Sequence, residues 1–271
     1  MYKIKNILIL ISAVLMFSNC TKDEIIEKPN PTAANGKLKI VFTHTINNQA
    51  IQLNSNIYIN EAGNHYELTD IMYFISDITL YPRTGNTVSI DDQTAVHYTD
   101  IHIPSTLNWN VSDPIPVGIY DSIRFTFGLN EQRNQTASFV NPPESNMAWP
   151  DMLGGGYHYM MMNGKWLNPQ NLSVPFNFHL GIGQIYTDTI NYDVNTITAF
   201  VQNYFKLTLA LSALQISKDN TTTIKLNMAI DSWFKTPHAW DHNYWGGSVM
   251  QKQRALQCIK ENGFDVFSLS Y

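Results

Sequence analysis

The chain has 271 residues, enough for one large domain with a sizeable core or two small ones. Only 14% of residues are charged, and the formal net charge of −5 becomes −7 once the first nineteen residues, with two lysines and no acids, are set aside. That balance leaves no basic stripe to neutralise phosphates and argues against a nucleic-acid partner. Abundant Asn, Thr, Tyr and Ile suit a pleated, half-buried surface and favour a β-rich extracytoplasmic protein.

In chain order, Lys3 and Lys5 give a basic start, Ile7 to Phe17 an apolar stretch, and Cys20 follows Phe17-Ser18-Asn19. This reads as a lipoprotein signal peptide over residues 1–19, with lipidation expected at Cys20; the apolar run is too short for a good membrane span. Lys22-Asp23-Glu24 resembles the export signal of surface lipoproteins in the Bacteroidetes. The expected location is therefore the outer membrane, with the lipid as anchor and the protein on the periplasmic or cell-surface face. Residues 20–36, with Pro29-Asn30-Pro31, read as a tether linker. Cys258 is the only other cysteine, so the acylated form has no intramolecular disulfide and the fold rests on its core.

Residues 37–271 form one β domain in this reading. From Lys37, alternation places Leu38, Ile40, Phe42, His44 and Ile46 on one strand face. A His on such a face is ordinarily a hydrogen-bonded core residue, and a ligand role is the alternative. Strands are expected at 56–60, 66–81, 95–103 and 119–128, with a bulge or bend near Asp70 because the long segment mixes its period. Residues 129–150, with Pro142-Pro143, read as a short helix or irregular excursion. Further strands are expected at 157–162, 172–180, 184–191, 196–202, 204–213 and 221–230, and a helix over 248–262 ended by Asn262-Gly263. Strands about ten residues apart without intervening helices predict an all-β antiparallel sandwich or barrel-like core, with long loops and a short C-terminal helix.

The densest stretch runs from Met147 to Trp166. It gathers five of the ten methionines, His158, Trp149 and Trp166 around Gly154-Gly155-Gly156. One reading is a soft-ligand site, the other a buried strand with Met as filler after a glycine turn. Period 2 from Tyr157 to Met162 puts His158, Met160 and Met162 on one face. On the strand ending at Leu180, His179 points away from the apolar Phe176, Phe178 and Leu180. His238 and His242 are a secondary metal possibility, His97 and His102 fall on opposite strand faces, and His65 beside a turn is expected to be exposed.

No G-x-S-x-G elbow, phosphate loop or H-E-x-x-H motif occurs, and nothing near Cys258 would activate it as a nucleophile, so an enzymatic role is not expected. Imidazole with thioether favours copper over hard cations.

The run Phe42-Thr43-His44, the segment Asp70 to Leu80, the block Met147 to Met152 leading into Gly154 to Met160, Phe178-His179-Leu180-Gly181, and Asn262-Gly263-Phe264-Asp265-Val266-Phe267 together resemble the MbnP-like family. The family is named for a member of methanobactin operons. The resemblance spans essentially 37–271 and looks like the Bacteroidetes lipoprotein branch. It implies a β-rich extracytoplasmic protein and a copper site using His, Met and a Trp oxidised to kynurenine by a di-haem cytochrome c peroxidase-like partner. By position it implies His44 and His179 as nitrogen ligands, Met147 or Met152 as thioether, and Trp149 as the modifiable Trp; His158, from its own strand face with Met160 and Met162, is a further candidate metal ligand. A closed site fits copper handling better than catalysis. The alternative is a metal-free binding module whose aromatic loops 231–245 and 147–166 hold a glycan, peptide or outer-membrane partner.

Overall fold

The computed structural model describes residues 34–92 and 94–271; the expected signal peptide, Cys20 and the tether as far as residue 33 lie outside the described residues. Two sheets stack face to face. At the centre of the six-stranded sheet, β1 (Asn35–Ile46) pairs in parallel with β15 (Thr221–Ala229), which carries β16 (Phe267–Ser270) on its far side. The short β2 (Gln49–Ala50), β7 (Asn108–Asn110) and β8 (Ile115–Pro116) pair with β1. The eight-stranded sheet runs β11 (Ser173–Leu180), β10 (Met160–Leu167), β4 (His65–Pro82), β9 (Gly118–Phe127) and β14 (Phe205–Ile216). Along β4 lie β3 (Tyr58–Ile59), β5 (Val88–Ser89) and β6 (Val96–Asp100). A separate hairpin joins β12 (Gly183–Tyr186) to β13 (Ile197–Val201), and the tail holds α1 (His242–Trp245) and α2 (Gln253–Asn262).

Every second residue of β1 from Leu38 to Ile46 is buried, His44 included, so the predicted alternation sets the inner face of this sheet. The long β4 bends twice. Asn163 pairs with Asp70 but Gly164 pairs with Leu68, so Thr69 is skipped and the expected bulge stands beside Asp70. A side chain at Gly164 would meet the Glu67 carbonyl at 2.0 Å, so only glycine lets β10 close on β4 there. The second irregularity is Asp77, at φ +53°, whose carboxylate accepts from Arg133 Nε and Asn130 Nδ2.

The sandwich expectation holds, with differences at element ends. The β1–β15 pairing is parallel, which a list of strands does not reveal. The C-terminal helix begins at Gln253 and not at 248, because the Gly247 carbonyl accepts from Asn177 N and Ser248 bridges Asn177, tying this stretch to the free edge of β11. The strand expected over 184–191 stops at Tyr186, where the Asp188 carboxylate turns the chain by accepting from the backbone of Ile190 and Asn191. At the C-terminal end Val266 and Phe267 are buried and Phe264 is exposed. Among the described residues no helix is long and apolar enough to cross a membrane.

Candidate metal-binding site

Sheet pairing decides which histidines can meet. Residues directly opposite in neighbouring strands share a face. Tyr73, Met160 and Leu180 are opposite one another across β4, β10 and β11, all fully buried between the two sheets. His179 precedes Leu180 on β11 and therefore points to the outer face, as its period predicts; the loop before β10 covers it and leaves it 6% exposed. His44 lies inside the sandwich, its Nε2 3.1 Å from the Tyr73 hydroxyl. The expected partnership of His44 with His179 is corrected accordingly, because the eight-stranded sheet stands between them.

The partner of His179 is His158. Their rings lie 4.9 Å apart at 87°, and the Trp149 ring stands 4.6 Å from that of His158 at 67°. Three consecutive glycines, Gly154, Gly155 and Gly156, adopt φ values of +114°, +66° and +76°, and this left-handed run folds the loop back so that Met147 meets His158. The Met147 carbonyl accepts from both the backbone N–H of His158 at 2.7 Å and its Nδ1 at 2.9 Å. The strand expected from Tyr157 begins only at Met160, after a bend at Tyr159. His158 therefore leaves the inward row of Met160 and Met162 and turns to His179.

These contacts fix the tautomers. A carbonyl only accepts, so Nδ1 of His158 carries the proton and Nε2 carries a lone pair. The Nε2 of His179 lies 2.8 Å from Oδ1 of Asn163, which also only accepts, so Nδ1 of His179 carries the lone pair. Both lone-pair nitrogens are buried, and neither has a hydrogen-bond partner among the described residues. Two acceptors cannot satisfy each other. Burial holds both rings neutral, with the pKa of His158 lowered to about 4 and that of His179, also beside His158, to about 3. The result is two deprotonated imidazole nitrogens on neighbouring rings, each ring oriented through its other nitrogen by an acceptor, as the rings of metal-ligating histidines generally are.

Thioethers stand near. Met161 is directly opposite His179 on the same outer face, and Met72 is directly opposite Met161 on β4, both partly buried. The earlier candidates fare differently. Met147 is fully buried and offers its carbonyl to His158, whereas Met152 is 67% exposed on the turn Asp151–Leu153. Trp149 is buried, donates Nε1 to the Leu153 carbonyl at 3.2 Å, and packs on Gly181, where a side chain would come within 2.5 Å of its ring. Among the described residues no group of three or more His, Cys, Asp and Glu could hold a metal ion. The soft side chains beside the histidine pair are the thioethers of Met161 and Met72.

A family model, MbnP, matches residues 35–251. The chain belongs to the MbnP family. Among solved structures, MbnP from Methylosinus trichosporium is similar over 86% of this chain and 98% of its own, with a TM-score of 0.54 at 12% identity, a likeness of fold. A comparison with curated proteins found no match.

Within this MbnP-family fold the other histidines are accounted for separately. His97 lies stacked between Phe42 and Trp109 with Nε2 on the Thr106 carbonyl, His102 Nε2 donates to the Thr69 carbonyl, and His65 is exposed as expected. His238 pairs with Glu261, while His242 is buried against Phe176 at 4.4 Å and Trp166 at 5.6 Å, so the two address different partners. Among the described residues both ring nitrogens of His242 lack hydrogen-bond partners, and burial lowers its pKa to about 4. Removing an unsatisfied polar group of similar shape relieves its desolvation cost. His242→Phe is therefore expected to raise unfolding free energy by about 1 kcal/mol in urea denaturation at neutral pH. A drop would mean that the ring nitrogens find partners in solution.

The Trp-rich tail loop is core, not platform: Trp233 and Trp240 are buried and only Tyr244 among its aromatics is strongly exposed. This removes most of the aromatic surface on which a glycan- or peptide-binding reading of 231–245 would depend.

Proposed function

We propose that this protein handles copper, holding Cu(I) through Nε2 of His158 and Nδ1 of His179. The observation that carries the reading is the pair of buried lone pairs, without a partner among the described residues, on adjacent imidazoles whose other nitrogens are committed to Met147 and Asn163. The residues fit the ion. Neutral imidazole suits Cu(I), the pair needs no deprotonation at neutral pH, and Met161 offers a soft sulfur on the same face as His179. Carbonyl and amide partners orient the two rings before metal arrives, so little ordering is needed on binding.

A copper-holding role without catalysis accords with the closed surroundings of the pair. The lipoprotein-like start supports an outer-membrane location through a lipid on Cys20, on the periplasmic or cell-surface side. The family resemblance supports a di-haem cytochrome c peroxidase-like partner acting on Trp149, whose ring already adjoins His158. The test is chelator competition for Cu(I), with the protein isolated from its native cells and from a host lacking that partner. One-to-one binding by both preparations supports a site made by the two histidines. Binding only by the native preparation, with an altered Trp149 peptide mass, makes oxidation of Trp149 a requirement, and binding by neither refutes copper handling.

A further inference from the structure

A cleft of about 330 Å³ opens where β6 and the turn after β5 meet the segment leading to Met147. That is the lower end of the size range for small-molecule sites. Four aromatic residues, Phe74, Tyr98, Trp109 and Phe139, line it together with Thr94, Val96 and the acidic residues Asp92 and Glu144. The rings are fixed before any ligand arrives. Phe74 stacks on Phe139 at 5.3 Å and 12° and meets Tyr98 at 5.6 Å. Trp109 lies parallel on His97 at 4.5 Å, His97 lies parallel on Phe42 at 4.9 Å, and Trp109 Nε1 donates to Asp92.

The charges are one-sided. Among the described residues neither Asp92 nor Glu144 forms an ion pair, and no basic side chain lines the cleft. Arg133, which donates to the Thr94 carbonyl nearby, is held by Asp77. Two carboxylates repel anions. An inorganic divalent ion needs a full shell of oxygens, whereas this lining offers few, and the Asp92 carboxylate already accepts from Trp109 Nε1 and from the backbone and hydroxyl of Ser112. A cation whose charge is spread over methyl groups satisfies both features, since ring faces carry negative potential and bury the methyl surface while the carboxylates supply countercharge.

We propose that this cleft binds a methylated ammonium ion, with Phe74, Tyr98, Trp109 and Phe139 around the head group and Glu144 and Asp92 as countercharges. The site is separate from the histidine pair, and the proposal stands whether or not copper binds there. Choline is the probe and its uncharged isostere, 3,3-dimethylbutan-1-ol, the control, each titrated into the full-length chain while the Trp109 indole N–H resonance is followed. Choline is expected to shift that resonance saturably in the millimolar range or tighter, with the alcohol about tenfold weaker or more. Glu144→Gln should weaken choline about tenfold and leave the alcohol unchanged. Phe139→Ala, at the partly exposed rim, should weaken both. Equal affinity for choline and the alcohol, choline binding indifferent to Glu144→Gln, or no saturable shift by choline would each overturn the proposal.

Discussion

His158→Ala and His179→Ala are each expected to weaken Cu(I) binding by about a hundredfold or more, since even removal of a group that only orients a ligand costs ten- to a hundredfold. His44→Phe should leave the affinity within about threefold, because His44 is tied to Tyr73 on the other side of the sheet from His179. This contrast separates the present site from one built on His44. Asn163→Leu should fall between the two groups, at about tenfold, by freeing His179 to take the wrong tautomer. Met161→Leu should weaken Cu(I) but leave Zn(II) little changed, because a thioether discriminates for the soft ion. Chelator competition gives all five values. Loss of binding in His44→Phe with retention in His158→Ala would reverse the assignment.

Acid should destabilise the metal-free protein steeply. Burial lowers the pKa of His44, His158 and His242 to about 4 and that of His179 to about 3, against 6.5 for an unburied imidazole. Between these values the unfolded chain binds more protons than the native one, so stability rises with pH. The contribution is fully present above about 6.5 and is lost as pH falls through the native values. With roughly three to four protons taken up on unfolding, passage from about pH 6 to about pH 5 should cost on the order of 4 kcal/mol, enough to unfold many domains. Urea unfolding at the two pH values measures it, and a difference below about 1 kcal/mol would show that these rings are not held neutral. The same depressed pKa values make Cu(I) affinity nearly flat down to about pH 5, since protons compete for the folded site only near its native pKa. Chelation would otherwise weaken through the ordinary histidine range.

The sequence pattern carries some of this further than the rest. Alternation in β1 and β11 correctly orients Leu38 to Ile46 and turns His179 away from Phe178, because each depends only on period 2 within one strand. The bulge beside Asp70 is legible for the same reason, as a break in that period. Period 2 says which face of its own strand a residue takes, but not which side of which sheet that face becomes. The family resemblance pairs His44 and His179 as ligands, yet strand pairing sets them on opposite sides. His158 defeats the pattern differently, because three left-handed glycines just before it redirect the loop and a bend at Tyr159 separates it from the strand whose alternation would have placed it. Met161 goes unmarked because its value lies in standing opposite His179, a fact of β10–β11 register. The signal that was available is the glycine triplet itself, which announces that the residues just after it do not follow a strand.

The most direct measurement is a long-range proton–nitrogen NMR spectrum of the imidazoles in the metal-free chain at neutral pH, repeated after one equivalent of Cu(I). His158 is expected to be protonated at Nδ1 and His179 at Nε2, with copper moving Nε2 of His158 and Nδ1 of His179 while His44 and His242 stay in place. Opposite tautomers in the metal-free chain, or copper shifting His44 and leaving His158 unmoved, would contradict it.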